Sequence, residues 1–109
     1  MNNLFKSFRD LDIRVGTIIR VERFEEAIKP SYKLKIDFGE LGFLKSSAQI
    51  TKNYIPEQLL GFQVIAIVNF PKKQIANFMS ECLVLGVVEE DLVVLLKPDS
   101  KTKNGLRIA

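Results

Sequence analysis

The chain of 109 residues contains no histidine and no tryptophan, one cysteine, four prolines and six glycines. Without histidine it lacks the commonest general base and the commonest metal ligand. A single cysteine, Cys82, supplies neither an internal disulfide nor a thiolate zinc site. Its setting, Cys82-Leu83-Val84-Leu85-Gly86-Val87-Val88, is that of a buried reduced thiol. There is no glycine-rich phosphate loop and no nucleophile elbow. Asp12 and Asp37 are single carboxylates near strand ends, where turn formers and ion-pair partners usually sit. With no catalytic constellation, the chain is expected not to be an enzyme and to use no cofactor and no metal. Apolar runs such as Val64 to Val68 are strand-sized, far short of the roughly 20 residues that cross a bilayer. The opening MNNLFKSFRDLD holds no uninterrupted apolar stretch of the secretory kind. The expectation is a cytoplasmic protein without membrane insertion.

What is present describes a globular protein. Hydrophobic residues make up 47% and charged residues 27%, with both signs mixed. The length suits one domain spanning residues 1–109, with extensions at 1–11 and 97–109. The net charge is +3. Lys97, Lys101, Lys103 and Arg107 against Asp99 account for that excess, and the rest of the chain is balanced. Within it, Lys29 to Lys73 carries seven lysines against Asp37, Glu40 and Glu57, while acids cluster at Glu22–Glu26 and Glu89–Asp91. A weakly basic protein with charge polarised in this way is compatible with a nucleic-acid partner.

Periodicity makes the chain mostly β. Ile13, Val15, Thr17, Ile19 and Val21 alternate with Arg14, Gly16, Ile18, Arg20 and Glu22, giving a long first strand with the odd positions inward. Gly16 inside it predicts a bend or bulge. Tyr32, Leu34, Ile36 and Phe38 alternate with Lys33, Lys35 and Asp37 in a second strand. Gly39-Glu40-Leu41-Gly42 connects it to a third, Phe43 to Ala48, with Lys45 and Ser47 on one face. Pro56 at a first helical position and Gly61 past the end predict a short helix. Gln63 to Phe70 reads as a fourth strand, and Glu81 to Val88 and Leu92 to Leu96 as two more around Glu89-Glu90-Asp91. A short helix between strands three and four is the plan of the OB barrel, although strand count alone also fits a small barrel of another topology. Phe24, Phe43, Phe62, Phe70, Tyr32 and Tyr54 mostly occupy inward positions and read as core.

The stretch from Val68 to Gly86 carries the chemistry. Asn69-Phe70-Pro71 ends an apolar strand, Lys72 and Lys73 follow, and Ser80-Glu81 precede the next strand. A lysine pair on a loop between buried strands presents charge to a polyanion, or is simply solvated. Asn69 has two readings, a contact or the brace of a turn. Ser46 and Ser47 offer hydroxyls to a ligand or satisfy barrel-rim hydrogen bonds. Phe78 lies beside the lysines as a stacking or groove residue, with Met79 next to it. Leu4, Phe5 and Phe8 at one end and Leu106 and Ile108 at the other are apolar where fraying would favour polar residues. They pad the barrel or meet across a dimer interface.

Five blocks in order carry a resemblance over nearly the whole chain. They are DIRVGTI at Asp12 to Ile18, YKLKIDFG at Tyr32 to Gly39, KSSAQITKNYIPEQLLG at Lys45 to Gly61, the VNFPKK…SECLVLG block, and LLKPD…NG around Leu95 to Gly105. The chain resembles the tRNA-binding OB domain family, which includes the C-terminal appendage of some methionyl-tRNA synthetases and the CsaA-type export-related chaperones. The resemblance implies an all-β, five-stranded OB barrel whose terminal extensions form a homodimer. It further implies binding of tRNA through backbone and shape. The RNA-facing positions it implies are Lys45, Ser46, Ser47, Asn69, Lys72, Lys73 and Ser80. The CsaA branch also implies a holdase reading, with unfolded preproteins in an apolar groove at the dimer seam, and a synthetase is a further partner class. CsaA-like chains usually carry arginines and a glycine where this chain reads Lys73-Gln74-Ile75-Ala76-Asn77. Lysine lacks arginine's planar fork, and Asn77 takes a left-handed conformation less readily than glycine.

Overall fold

A computed structural model describes residues 3–109; Met1 and Asn2 of the expected N-terminal extension lie outside the described residues. Five strands form one antiparallel sheet in the order β3-β2-β1-β4-β7, comprising β1 (Ile13–Arg23), β2 (Tyr32–Asp37), β3 (Phe43–Ala48), β4 (Gln63–Ile67) and β7 (Leu83–Val84). The sheet curls until its two edges meet, which is the OB plan: five strands, nearly closed, with helix α2 (Pro56–Leu59) between the third and fourth. Pro56 opens α2, the Gln58 side chain accepts the Ile55 N–H at 3.0 Å, and Gly61 follows at φ 82°. Leu59 of this helix is buried beneath the barrel.

The core contains Ile18, Tyr32, Leu34, Ile36, Phe38, Ile50, Leu59, Val64 and Ala66, so the alternation of β2 is as the sequence predicts. The first strand departs from its simple alternation. Its register against β2 slips between Ile18 and Arg20, leaving Ile19 as the extra residue of a bulge. Ile18 is fully buried in the core and Ile19 is 42% exposed, which reverses the expected facing at this point. The bulge lies three residues beyond Gly16, and that glycine has a different purpose. A Cβ there would stand 2.7 Å from Ile36 Cγ2 and from the Phe38 ring, so only a bare backbone fits. Ile13 and Val15 are buried as well, on the opposite face of the sheet beside Ile65 and Ile67 and outside the main core cluster.

Two hairpins extend from the barrel. β5 (Lys73–Ile75) and β6 (Phe78–Ser80) pair where the sequence reading has only a polar loop. Their turn places Ala76, not Asn77, at φ 50°. The Gln74 amide steadies it by donating to the Ala76 carbonyl at 2.8 Å. β8 (Gly86–Glu89) and β9 (Leu92–Leu95) form the second, so the run expected as one strand from Glu81 to Val88 is broken in two.

The first helix and the C-terminal tail lie side by side. Helix α1 (Leu4–Asp10) is capped by the Asn3 carboxamide, which accepts the Lys6 N–H at 2.9 Å. The C-terminal tail runs along β1: Gly105 N–H donates to Val15, Val15 to Leu106 and Ile108 to Ile13. Gln63, 9% exposed, holds the tail from inside, donating to the Thr102 carbonyl at 2.8 Å and accepting the Thr102 N–H at 3.0 Å. The Arg107 guanidinium donates to the carbonyls of Arg9 and Leu11 at the end of α1. Among the described residues, no helix is long and apolar enough to cross a membrane.

Candidate nucleic-acid interface

Strand pairing brings cations together. Lys35 on β2 stands directly opposite Lys45 on β3 and, on its other side, opposite Arg20 on β1. The bulge at Ile19 creates this row, because an unbroken register would set Ile19 against Lys35. One step along, Glu22, Lys33 and Ser47 form the next row. Like charges directly opposite one another destabilise a sheet. Arg20 is relieved by Glu22 at 2.5 Å, and Lys33 is 3.8 Å from Glu26. Among the described residues, no carboxylate oxygen lies within 4.0 Å of the Lys35 or Lys45 ammonium.

Aromatic rings flank the row. Arg20, Glu22, Lys33, Leu34, Lys35, Phe43, Lys45, Phe78 and Glu81 line a groove of about 520 Å³. Phe78 meets Phe24 edge-on at 5.4 Å between centroids. The Lys45 and Lys33 ammoniums sit 5.2 and 5.7 Å from the Phe78 centroid, and Lys33 is 4.9 Å from that of Phe24. Phe24 is buried as expected, whereas Phe43 is 57% exposed and Phe70 42% exposed, which corrects their reading as core. Lys35 lies 4.9 Å from the Phe43 centroid. Glu26, the partner of Lys33, is held below the usual carboxylate range by backbone hydrogen bonding and by the Lys33 charge.

The sequence-predicted residues separate by role. Lys45 lines the groove, and Lys72 reaches its rim, with Nζ 3.4 Å from Glu81. Lys73 is exposed on β5, opposite Ser80. Ser46 is 1% exposed and donates to the Cys82 carbonyl at 2.9 Å, so it faces inward and closes the barrel. The Ser80 hydroxyl accepts the Ser47 N–H at 3.2 Å across the same seam. The Asn69 carboxamide braces the chain, accepting the Asp12 N–H at 2.9 Å and donating to the Asp10 carbonyl at 2.8 Å. Met79 pairs with Gln74 and does not line the groove. Phe5, Phe8 and Ile108 line a separate groove of about 430 Å³ with Arg9, Arg107 and Ala109, while Leu4 and Leu106 are exposed near it. Sequence reasoning missed Arg20, Lys33, Lys35, Phe43 and Glu81. The lysines were findable, since the turn at Gly39–Gly42 sets Lys35 against Lys45, but nothing in the sequence locates the bulge.

Burial pushes the Cys82 thiol up to about 12. Among the described residues, no group of three or more Cys, Asp or Glu side chains is placed to hold a metal ion.

Comparison with known proteins agrees with this geometry. Superposition gives a TM-score of 0.94 with a crystal structure described as chaperone CsaA from Bacillus anthracis, 54% identical, covering 100% of this chain and 99% of the other. The CsaA chaperone protein of Picrophilus torridus gives 0.92 at 52% identity, with 100% of both chains covered. The methionine–tRNA ligase of Methanococcoides burtonii is 35% identical over 102 residues, 93% of this chain and 15% of the ligase. That of Thermococcus kodakarensis is 36% identical over 95% of this chain and 14% of the ligase. The chain thus spans only a small part of the curated relatives it matches. Residues 13–107 match the family described as "Putative tRNA binding domain", a range that runs from the first residue of β1 to the arginine locking the tail. With strand order, α2 and the sequence blocks all in agreement, the chain belongs to the tRNA-binding domain family.

Proposed function

We propose that this chain binds tRNA on the outer face of β1, β2 and β3, with Arg20, Lys35 and Lys45 gripping backbone phosphates. The observation that carries this reading is the cross-strand row of three cations, two of them without a carboxylate partner. Such a row repels itself at rest, and the repulsion is relieved when a polyanion lies across it. The face of strands two and three is where OB barrels take oligonucleotides. Family membership and the likeness to methionine–tRNA ligases favour tRNA as the polyanion. Lys33 and Ser47 flank the row, and Lys72 and Lys73 extend the positive surface along the rim. Ser46, Ser80 and Asn69 act indirectly, by shaping the barrel that presents these groups.

The test is a titration with bulk tRNA at low and moderate salt. Affinity is expected to fall steeply as salt rises, because counterion release dominates such binding. Arg20→Ala, Lys35→Ala and Lys45→Ala should each weaken binding and reduce the salt slope by about one. Unchanged affinity and slope in the triple variant would reject the reading.

A separate feature supports pairing and a second ligand. Helix α1 buries none of its side chains, so Leu4, Phe5 and Phe8 are exposed beside Ile108 and Leu106. We infer that two copies associate across these chain ends. The CsaA relatives are described as chaperones, and whatever part of this apolar surface the pairing leaves uncovered suits segments of unfolded preproteins. Sedimentation at micromolar concentration should give a dimer that Phe5→Glu dissociates. A monomeric parent protein that fails to suppress client aggregation would end this second reading.

A further inference from the structure

Phe43 is the exposed ring of the groove, and its surroundings differ from those of Phe78. Phe78 rests edge-on against Phe24 and already carries two ammoniums, so it is a packed wall. Phe43 stands at the start of β3 with 57% of its surface open and Lys35 near its ring. It lies two positions before Lys45 on the same strand face and diagonal to Lys35 across the ladder. A ring more than half open to solvent, with one ammonium over it and a second cation two positions along the strand, is a combination that can stack a base on its uncovered surface and hold the adjoining phosphates. The groove of about 520 Å³ falls within the roughly 300–1,000 Å³ of small-ligand sites. A double helix offers no free base face to such a ring, whereas loops, bulges and ends do.

We propose that Phe43 is the stacking platform for one unpaired base of the bound RNA, with Lys35 and Lys45 holding the flanking phosphates. This rests on the tRNA reading of the same groove and specifies the feature recognised: a nucleotide splayed from a loop or end, not the duplex stem.

The test uses the full chain and three RNA probes of equal length: a single strand, the same strand with abasic positions, and a duplex. Phe43→Ala should weaken single-strand binding roughly ten- to a hundredfold. It should leave duplex binding unchanged and erase the difference between intact and abasic strands. Phe43→Trp should retain single-strand affinity and, as the sole tryptophan of the chain, report binding by quenching of its emission. Equal loss on all three probes, or no loss on any, would overturn the stacking proposal. Lys35→Ala and Lys45→Ala separate the two readings. If they leave all probes bound, the tRNA reading itself fails; if they weaken binding while Phe43→Ala does not, only the platform fails.

Discussion

Lys45 and Glu81 are tied in both directions: the Glu81 N–H donates to the Lys45 carbonyl at 2.7 Å, and the Lys45 N–H donates to the Glu81 carboxylate at 2.9 Å. A side chain thereby replaces a strand partner along the free edge of β3, and the Ser80 hydroxyl does the same for Ser47. The carboxylate that closes this seam also faces the cationic groove and holds Lys72 at 3.4 Å.

Glu81 should therefore let two variants separate its charge from its hydrogen bond. Glu81→Gln keeps an acceptor for Lys45 and removes a negative charge, so tRNA affinity should rise about two- to fivefold at low salt, and less as salt screens it. Glu81→Ala leaves the Lys45 N–H without its partner and should cost about 1–2 kcal/mol in chemical denaturation. Titration and unfolding of both variants check the pair.

Asn69 should prove structural. Asn69→Ala removes both hydrogen bonds that fasten Asp10 and Asp12, the link from α1 into β1. A loss of about 1–2 kcal/mol is expected, with a fall in melting temperature and unchanged tRNA affinity. An unchanged melting temperature with weakened binding would place Asn69 among the RNA contacts instead.

Gln63 should govern the tail. Its buried carboxamide makes both hydrogen bonds to Thr102 and a third, at 3.1 Å, to the Asn104 side chain. Gln63→Ala should speed hydrogen exchange at Gly105 and Ile108 well before the amides of β2 respond. Uniform change across the sheet would show that the tail is not separately held.

Cys82 predicts an alkaline weakness. The folded thiol stays protonated to about pH 12, against 9.0 when free, chiefly because burial disfavours the thiolate. The unfolded chain loses this proton first, so the stability the buried thiol contributes is complete below pH 9 and declines as pH rises from about 9 to 12. The stability difference between the parent and Cys82→Ala should shrink over that range, and the native thiol should resist alkylation at neutral pH.

Much of the barrel was legible in the chain. The alternation from Tyr32 to Phe38 names the buried face of β2, and Pro56 with Gly61 marks α2, because these depend on local chemistry. The facing of β1 was not, since the Ile19 bulge is decided by how β1 must meet β2 and β4 at once. The β5–β6 hairpin was hidden because its strands have three residues each and its turn uses Ala76 where glycine would announce it. Around the groove, Lys45 and Lys72 were named in advance because charge on a strand face or loop is visible in sequence. Arg20 was not, since the same bulge sets its partner. Phe43 reads as core because it is a large apolar ring, and it is exposed because it shares the outward face of β3 with Lys45 and Ser47.

The antiparallel backbone pairing of the C-terminal tail with β1, in which Arg107 stands opposite Arg14, has a kinetic consequence. Contacts between residues more than ninety positions apart form only after a long loop has closed, which raises the entropic barrier to assembly. Refolding should accordingly be slower than the barrel's local hairpins alone would allow, with the tail among the last segments to gain protection.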